Sequence, residues 1–185
     1  MKKITFIVLL IAGSLSMNSQ NVFKFGIAGG LNISKMNSET SSKSLNGFHA
    51  GLITEIKLPI ELGVEADVLL STKGGVYEGY DSNFQPKDVD FRLTYVDVPI
   101  LAKLYMLKVI NIQAGPQFSY LLSGKYDGID VKDNFNSIDI AIVAGLGLDV
   151  TKLHGAVRYN YGITNVGAGD RKNSVIQVSV GYWIK

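Results

Sequence analysis

The chain has 185 residues with 20 Gly, 4 Pro, no Cys and a formal net charge of +2. The lack of Cys excludes disulfides, thiolate metal centres and an acylated N-terminal cysteine, and so small a charge argues against a nucleic-acid binder, which would carry a basic patch or stripe. Residues are 46% hydrophobic, yet beyond the N-terminus no apolar run approaches the roughly 20 residues of a membrane helix, so the apolar residues must be spread by alternation.

Residues 1–19 read as a signal peptide. Lys2 and Lys3 form a charged start, Ile4 to Ala12 an apolar run, and Gly13, Ser14, Ser16 and Ser19 the small or polar stretch where cleavage is expected. Removing Lys2 and Lys3 balances the chain at a net charge of zero. One domain, 20–185, remains, of ordinary single-domain size.

From there the sequence alternates with period two. Phe23, Phe25, Ile27, Leu31 and Ile33 share one face, with Lys24, Gly26, Ala28, Gly30 and Asn32 on the other. Phe48, Ala50, Leu52, Thr54 and Ile56 oppose His49, Gly51, Ile53, Glu55 and Lys57. Leu62, Val64, Ala66, Val68 and Leu70 oppose Gly63, Glu65, Asp67, Leu69 and Ser71. Val96, Val98, Ile100, Ala102 and Leu104 oppose Asp97, Pro99, Leu101, Lys103 and Tyr105. Ile110, Ile112, Ala114, Phe118 and Tyr120 oppose Asn111, Gln113, Gly115, Gln117 and Ser119. Ile138 to Leu148 alternates with Asp139, Ala141, Val143, Gly145, Gly147 and Asp149. Val157, Tyr159, Tyr161 and Ile163 oppose Arg158, Asn160, Gly162 and Thr164, and Ile176, Val178, Val180, Tyr182 and Ile184 oppose Gln177, Ser179, Gly181 and Lys185.

The connections alternate in length. Tight turns are expected around 58–60, 106–108 and 151–153, and longer polar loops over 34–45, 73–90, 123–136 and 165–173. Eight strands with short turns at one end and long loops at the other predict an all-β fold: a closed eight-stranded antiparallel up-and-down transmembrane barrel, termini periplasmic. In lipid the sheet must close to satisfy its backbone. Charges then belong in the lumen, since a lipid-facing Lys or Arg at mid-depth costs roughly 2–4 kcal/mol.

Aromatic residues at strand ends suggest interfacial girdles: Phe23, Phe25, Tyr105, Tyr182 and Trp183 at the periplasmic rim, and Phe48, Tyr95, Phe118, Tyr120 and Tyr161 at the outer rim, although Trp183 has lumen parity. Pro99 and Pro116 fall mid-strand, where a missing ladder donor predicts a β-bulge.

The lumen charges Glu65, Asp67, Asp97, Lys103, Asp139, Asp149 and Arg158, with Glu55, read as a structural salt-bridge network rather than an ion path, because an unpaired buried charge is costly and eight strands enclose room only for side chains. The turn at 151–153 sets Asp149 against His154 and Gly145 against Arg158, leaving space for Arg158 to cross to Glu65 or Asp67. His49 and His154 lie at opposite ends of the barrel, so they cannot share a metal, and no catalytic residue, cofactor or metal site is expected. A lipid-modifying enzyme and a secreted lipocalin-like barrel are the alternatives.

Several stretches resemble the PorT-like outer-membrane β-barrel family of Gram-negative bacteria: Ser71-Thr72-Lys73-Gly74, the strand Tyr95 to Tyr105 with its Asp97-Val98-Pro99 core, Gly115-Pro116-Gln117 with the run to Gly124, Ala144-Gly145-Leu146-Gly147, and Arg158 to Asn165. The resemblance spans nearly the whole mature chain. It implies an eight-stranded barrel inserted by the outer-membrane machinery into the lipid bilayer, with loops free to contact partners. The terminal Lys185 departs from the usual aromatic ending of such barrels.

Overall fold

The computed structural model describes residues 22–37, 43–80, 86–126, 129–130, 132, 136–165 and 172–185. The expected signal segment, 1–19, lies outside them. The alternation becomes β1 (Phe23–Asn37), β2 (Lys43–Leu58), β3 (Leu62–Tyr80), β4 (Pro86–Met106), β5 (Ile110–Tyr126), β6 (Ile129–Asp130), β7 (Ile138–Val150), β8 (Leu153–Gly162) and β9 (Lys172–Trp183). Sequential strands pair antiparallel except that β5 pairs β7 directly, β1 pairs β9, and β4–β5 completes the circuit. Eight strands thus close a barrel, and β6 is a two-residue ladder added to the far end of β5.

Partner-to-partner steps run from Ser71 through His49, Gly30, Ser179, Ala156, Gly147, Asn111 and Tyr105. Tyr105 in turn bonds Glu61, ten positions before the starting Ser71. That stagger is the barrel's shear, and it tilts the strands so that the wall can close around packed side chains.

The three tight turns fall where the breaks in alternation place them. Ile60 and Glu61 have φ of 64° and 57°, and Leu107 and Lys108 have 52° and 64°. Two successive positive φ values are what a two-residue turn between twisted strands demands. Here non-glycine residues, one of them β-branched, bear that conformation.

The two faces separate cleanly. Val68 is 53% exposed and Ile142 55%, and the same face of every strand carries exposed Ile, Leu, Val, Phe or Tyr. A soluble monomer does not leave so continuous an apolar surface in water. The opposite face is buried and holds the charges. The inside and outside are therefore reversed relative to a lipocalin-like soluble barrel.

Three expectations are corrected. The strands run into the sequence-defined loops 34–45, 73–90 and 123–136: β1 extends to Asn37 and β2 begins at Lys43, β3 and β4 pair as far as Tyr80 and Pro86, and β5 reaches Tyr126. Weak alternation in those stretches hides pairing that the backbone continues. The prolines produce no bulge. Pairing lapses between Ala66↔Ile100 and Leu69↔Asp97, and between Pro99↔Gln117 and Ala102↔Ala114, with the register unchanged across both. The ladder gives up bonds opposite each missing N–H instead of inserting a residue. The register shifts lie elsewhere, at Thr94/Tyr95 and between Ser44 and His49. Finally, Tyr95, Tyr105 and Trp183 are not girdle residues. All three are buried inside the lumen, as their strand parity dictates.

Candidate functional site: the charged lumen

Lumen parity brings polar residues of different strands to the same depth, and the turn-end half of the barrel is filled by one network. Lys103 Nζ on β4 donates to Glu55 Oε2 at 2.8 Å, Glu65 Oε2 at 2.7 Å and Asp149 Oδ2 at 3.2 Å. The Tyr105 hydroxyl lies 2.6 Å from Glu55 Oε1 and 2.8 Å from Asp149 Oδ2. Asp149 also accepts from Asn111 Nδ2 at 3.1 Å, His154 Nδ1 at 2.8 Å and Trp183 Nε1 at 2.9 Å. Glu65 joins the two cations: its second oxygen accepts from Arg158 Nη2.

Arg158 completes the network. Nη1 donates to Asp67 Oδ2 at 3.0 Å and Nε to Gln113 Oε1 at 2.8 Å. The register places Asp149 against His154 and Gly145 against Arg158. Room for the guanidinium comes from glycine. A Cβ on Gly145 would stand 2.5 Å from the Val157 carbonyl oxygen and 3.0 Å from Arg158 Cγ, and one on Gly147 would stand 2.5 Å from Asn111 Oδ1. Lys24 on β1 lies 5.2 Å from the Trp183 ring centroid. Every barrel strand thus contributes to this half of the lumen.

Asp97 and Asp139, expected in the same network, stand apart from it. Asp97 accepts from Lys73 Nζ at 2.8 Å, which also reaches Ser119 Oγ at 3.3 Å. Asp139 accepts from Thr164 Oγ1 at 2.8 Å and Asn173 Nδ2 at 2.9 Å. Lys73, assigned by sequence to an external loop, is buried in the lumen wall. Continuing the parity of Gly63, Glu65, Asp67, Leu69 and Ser71 by one step identifies it. Ile53, Leu69 and Trp183 pack together as an apolar cluster, tied to the turn-end network through the Trp183 indole N–H.

His49 makes a distinct cluster. Its Nδ1 lies 2.9 Å from Asn32 Oδ1 and its Nε2 lies 2.8 Å from Ser179 Oγ. The order Ser–His–Asn has the hydrogen-bond sequence of a nucleophilic triad. All three are buried: His49 and Asn32 are 1% exposed and Ser179 5%. Asn32 is further committed to Ser71 Oγ at 2.9 Å and the Thr72 carbonyl at 3.0 Å. Three adjacent strands, β1, β2 and β9, are cross-linked by the cluster. Among the described residues no group of three or more His, Asp or Glu is disposed to hold a metal ion.

Solved structures share the architecture. Neisserial surface protein A superposes with a TM-score of 0.57 at 16% identity, over 85% of this chain and 96% of that one. Ail of Yersinia pestis, solved with the heparin analogue sucrose octasulfate, gives 0.55 at 16% identity, over 88% and 99%. OprG of Pseudomonas aeruginosa gives 0.50 at 11% identity, over 91% and 99%. At such identities the likeness is one of fold. No curated protein matches the sequence. The model of the outer membrane protein beta-barrel domain matches residues 18–167, and the chain, with its closed eight-stranded wall and lipid-compatible outer face, belongs to that family of integral outer-membrane barrels.

Proposed function

We propose that this protein is a non-enzymatic outer-membrane barrel whose lumen is a structural plug and whose working surface is the long-strand end. The observation that carries the reading is the reversal of polarity: an apolar belt faces outward on all strands while Glu55, Glu65, Asp67, Lys103, Asp149 and Arg158 are sealed inside. Such an interior holds eight strands together and leaves no wide aqueous path. Asp97 and Asp139 serve the same structural purpose nearer the long-strand end. Chemistry on lipid would need an accessible nucleophile, and Ser179 is buried.

In this reading residues 1–19 direct export, the insertion machinery assembles domain 20–185 in the bilayer, and both termini face the periplasm. Short turns at that end and extended strands at the other support the orientation. Contacts with a protein or ligand partner then fall on the outer extensions and their loops, within 34–45, 73–90, 123–136 and 165–173. The Tyr95 to Tyr105 strand and the Gly115-Pro116-Gln117 stretch of β5 support a PorT-like member of the family. Fractionation tests the reading: the protein should remain with membranes through salt and urea washes and be released by detergent. Recovery in the wash would refute it.

A further inference from the structure

The half of the lumen nearer the long-strand end carries a charge that its own side chains do not balance. Among the described residues the buried Lys and Arg side chains are Lys73, Lys103 and Arg158. Lys103 and Arg158 belong to the turn-end network, and Lys73 is held by Asp97 at 2.8 Å. Asp139, 1% exposed, is left with neutral donors, the Thr164 hydroxyl and the Asn173 amide. A buried carboxylate without a cation is costly. The same region holds buried oxygens that nothing serves. Tyr95 is 0% exposed, and its hydroxyl lies near Asn173, Asp139 and Asp97 yet has no hydrogen-bond partner. Asn173 is 3% exposed, and its Oδ1 is unpartnered, as is Oδ2 of Asp97. The register gathers these groups: Asp97 pairs with Ser119 and Ser119 with Asp139, so the two carboxylates leave one face of three adjacent strands. Leu93 and Leu121, both 0% exposed, follow Tyr95 and Ser119 on the lumen face toward the long-strand end and shield this level from solvent.

We propose that Asp139, Asn173 and Tyr95 hold a small hard monovalent cation, of the Na⁺ class, inside the lumen. The donors are a carboxylate, an amide carbonyl and a phenol. Oxygen alone selects a hard cation over zinc or copper. Charge selects the valence. One ammonium, Lys73, stands against two carboxylates, Asp97 and Asp139, which leaves a single negative charge. One monovalent ion neutralises this level, whereas a divalent ion would leave it charged with the opposite sign. Water alone would serve the free oxygens but would leave the Asp139 charge buried. The inference goes beyond the plug reading and requires only that the lumen be sealed.

The test uses the purified full barrel in neutral detergent and reads the thermal unfolding midpoint in NaCl against choline chloride at constant ionic strength. The midpoint should rise with Na⁺ concentration, as for a ligand that binds the folded state alone, and choline should not replace Na⁺. Asp139→Asn should abolish the Na⁺ dependence. With the buried charge gone, it should be at least as stable as wild type in choline chloride, whereas loss of a mere hydrogen-bond acceptor would lower the midpoint equally in both salts. Tyr95→Phe should raise the Na⁺ concentration for half the effect about threefold or more. It should leave the midpoint in choline chloride unchanged, because the hydroxyl has no partner to lose. Heat-modifiable gel migration identical to wild type certifies that each variant is folded. A midpoint indifferent to Na⁺ overturns the proposal and leaves Asp139 to water or a proton. Equal Na⁺ dependence in wild type and Asp139→Asn overturns it too, as does protection by Ca²⁺ without protection by Na⁺. A barrel that conducts widely refutes the sealed lumen; one that does not conduct yet ignores Na⁺ refutes this site alone.

Discussion

Arg158 and Glu65 pair across the lumen, from β8 to β3, strands that do not touch in the wall. The same guanidinium holds Asp67 at 3.0 Å. Removing one partner of a buried pair leaves a charge without compensation, a loss on the order of 3–5 kcal/mol. Arg158→Ala should therefore lower the urea unfolding midpoint in detergent. The two carboxylates should respond differently in rescue. Asp67 Oδ1 has no hydrogen-bond partner, so Asp67→Asn in the Arg158→Ala background should restore part of the loss. Glu65 also binds Lys103 at 2.7 Å, so Glu65→Gln should restore less. A double-mutant cycle without coupling between Arg158 and either acid would contradict the pairing.

The outward face makes a second prediction. Val68→Arg or Ile142→Arg puts a cation on the lipid-facing wall, at a cost of roughly 2–4 kcal/mol near the bilayer midplane. Each should impair assembly and abolish heat-modifiable migration, while Val68→Leu should be mild. Insertion of both Arg variants at wild-type yield would mean that this face does not meet lipid.

Filled by side chains from all eight strands, the lumen should not conduct. Purified barrel in planar bilayers should show no large, steady conductance at neutral pH. Arg158→Ala with Asp67→Asn, which opens space beside Gly145, is the variant in which leak should first appear. Stable wide channels in the wild type would refute the plug.

Asn160 is 2% exposed, and neither its Oδ1 nor its Nδ2 has a partner. An unsatisfied buried amide costs about 1–3 kcal/mol. Asn160→Leu, similar in size, should leave the unfolding midpoint unchanged or raise it. A clear fall would show that ordered water inside the lumen serves the amide.

The Ser179–His49–Asn32 chain should be inert. A fluorophosphonate probe should not label Ser179 in the folded barrel, and His49→Gln should lower stability by the order of a buried hydrogen bond, about 1 kcal/mol, without changing any hydrolysis above buffer. Labelling of Ser179 that depends on His49 would reopen an enzymatic reading.

Much of this arrangement is written as parity. A period of two assigns Glu65, Asp67, Lys103, Asp149 and Arg158 to one face, and the short turn at Thr151 is enough to set Gly145 opposite Arg158. Parity also marks Tyr105 and Trp183 as lumen residues, but aromatic position at a strand end argues for the rim. Hydrogen bonding to Glu55 and Asp149 wins because each ring carries a donor that burial obliges to find an acceptor. Lys73 is hidden by its neighbours: Gly74 and Gly75 look like loop, while the strand continues through them. The short turn at Thr151 also points Arg158 at Glu65 and Asp67, as found, but which acids Lys73 and Lys103 meet is not legible. It depends on the shear, and that becomes fixed only when all eight registers close.

Lipid contact at named positions tests the polarity of the barrel most directly. The chain has no Cys, so a single nitroxide can be attached at Val68→Cys, Ile142→Cys or Val178→Cys in barrel reconstituted into liposomes. Collision with oxygen dissolved in the bilayer and with a water-soluble nickel complex is then measured at each site. All three labels should relax with oxygen and be shielded from nickel, as wall positions at membrane depth. Ready access of the nickel complex to them would contradict an apolar face in lipid around a charged interior.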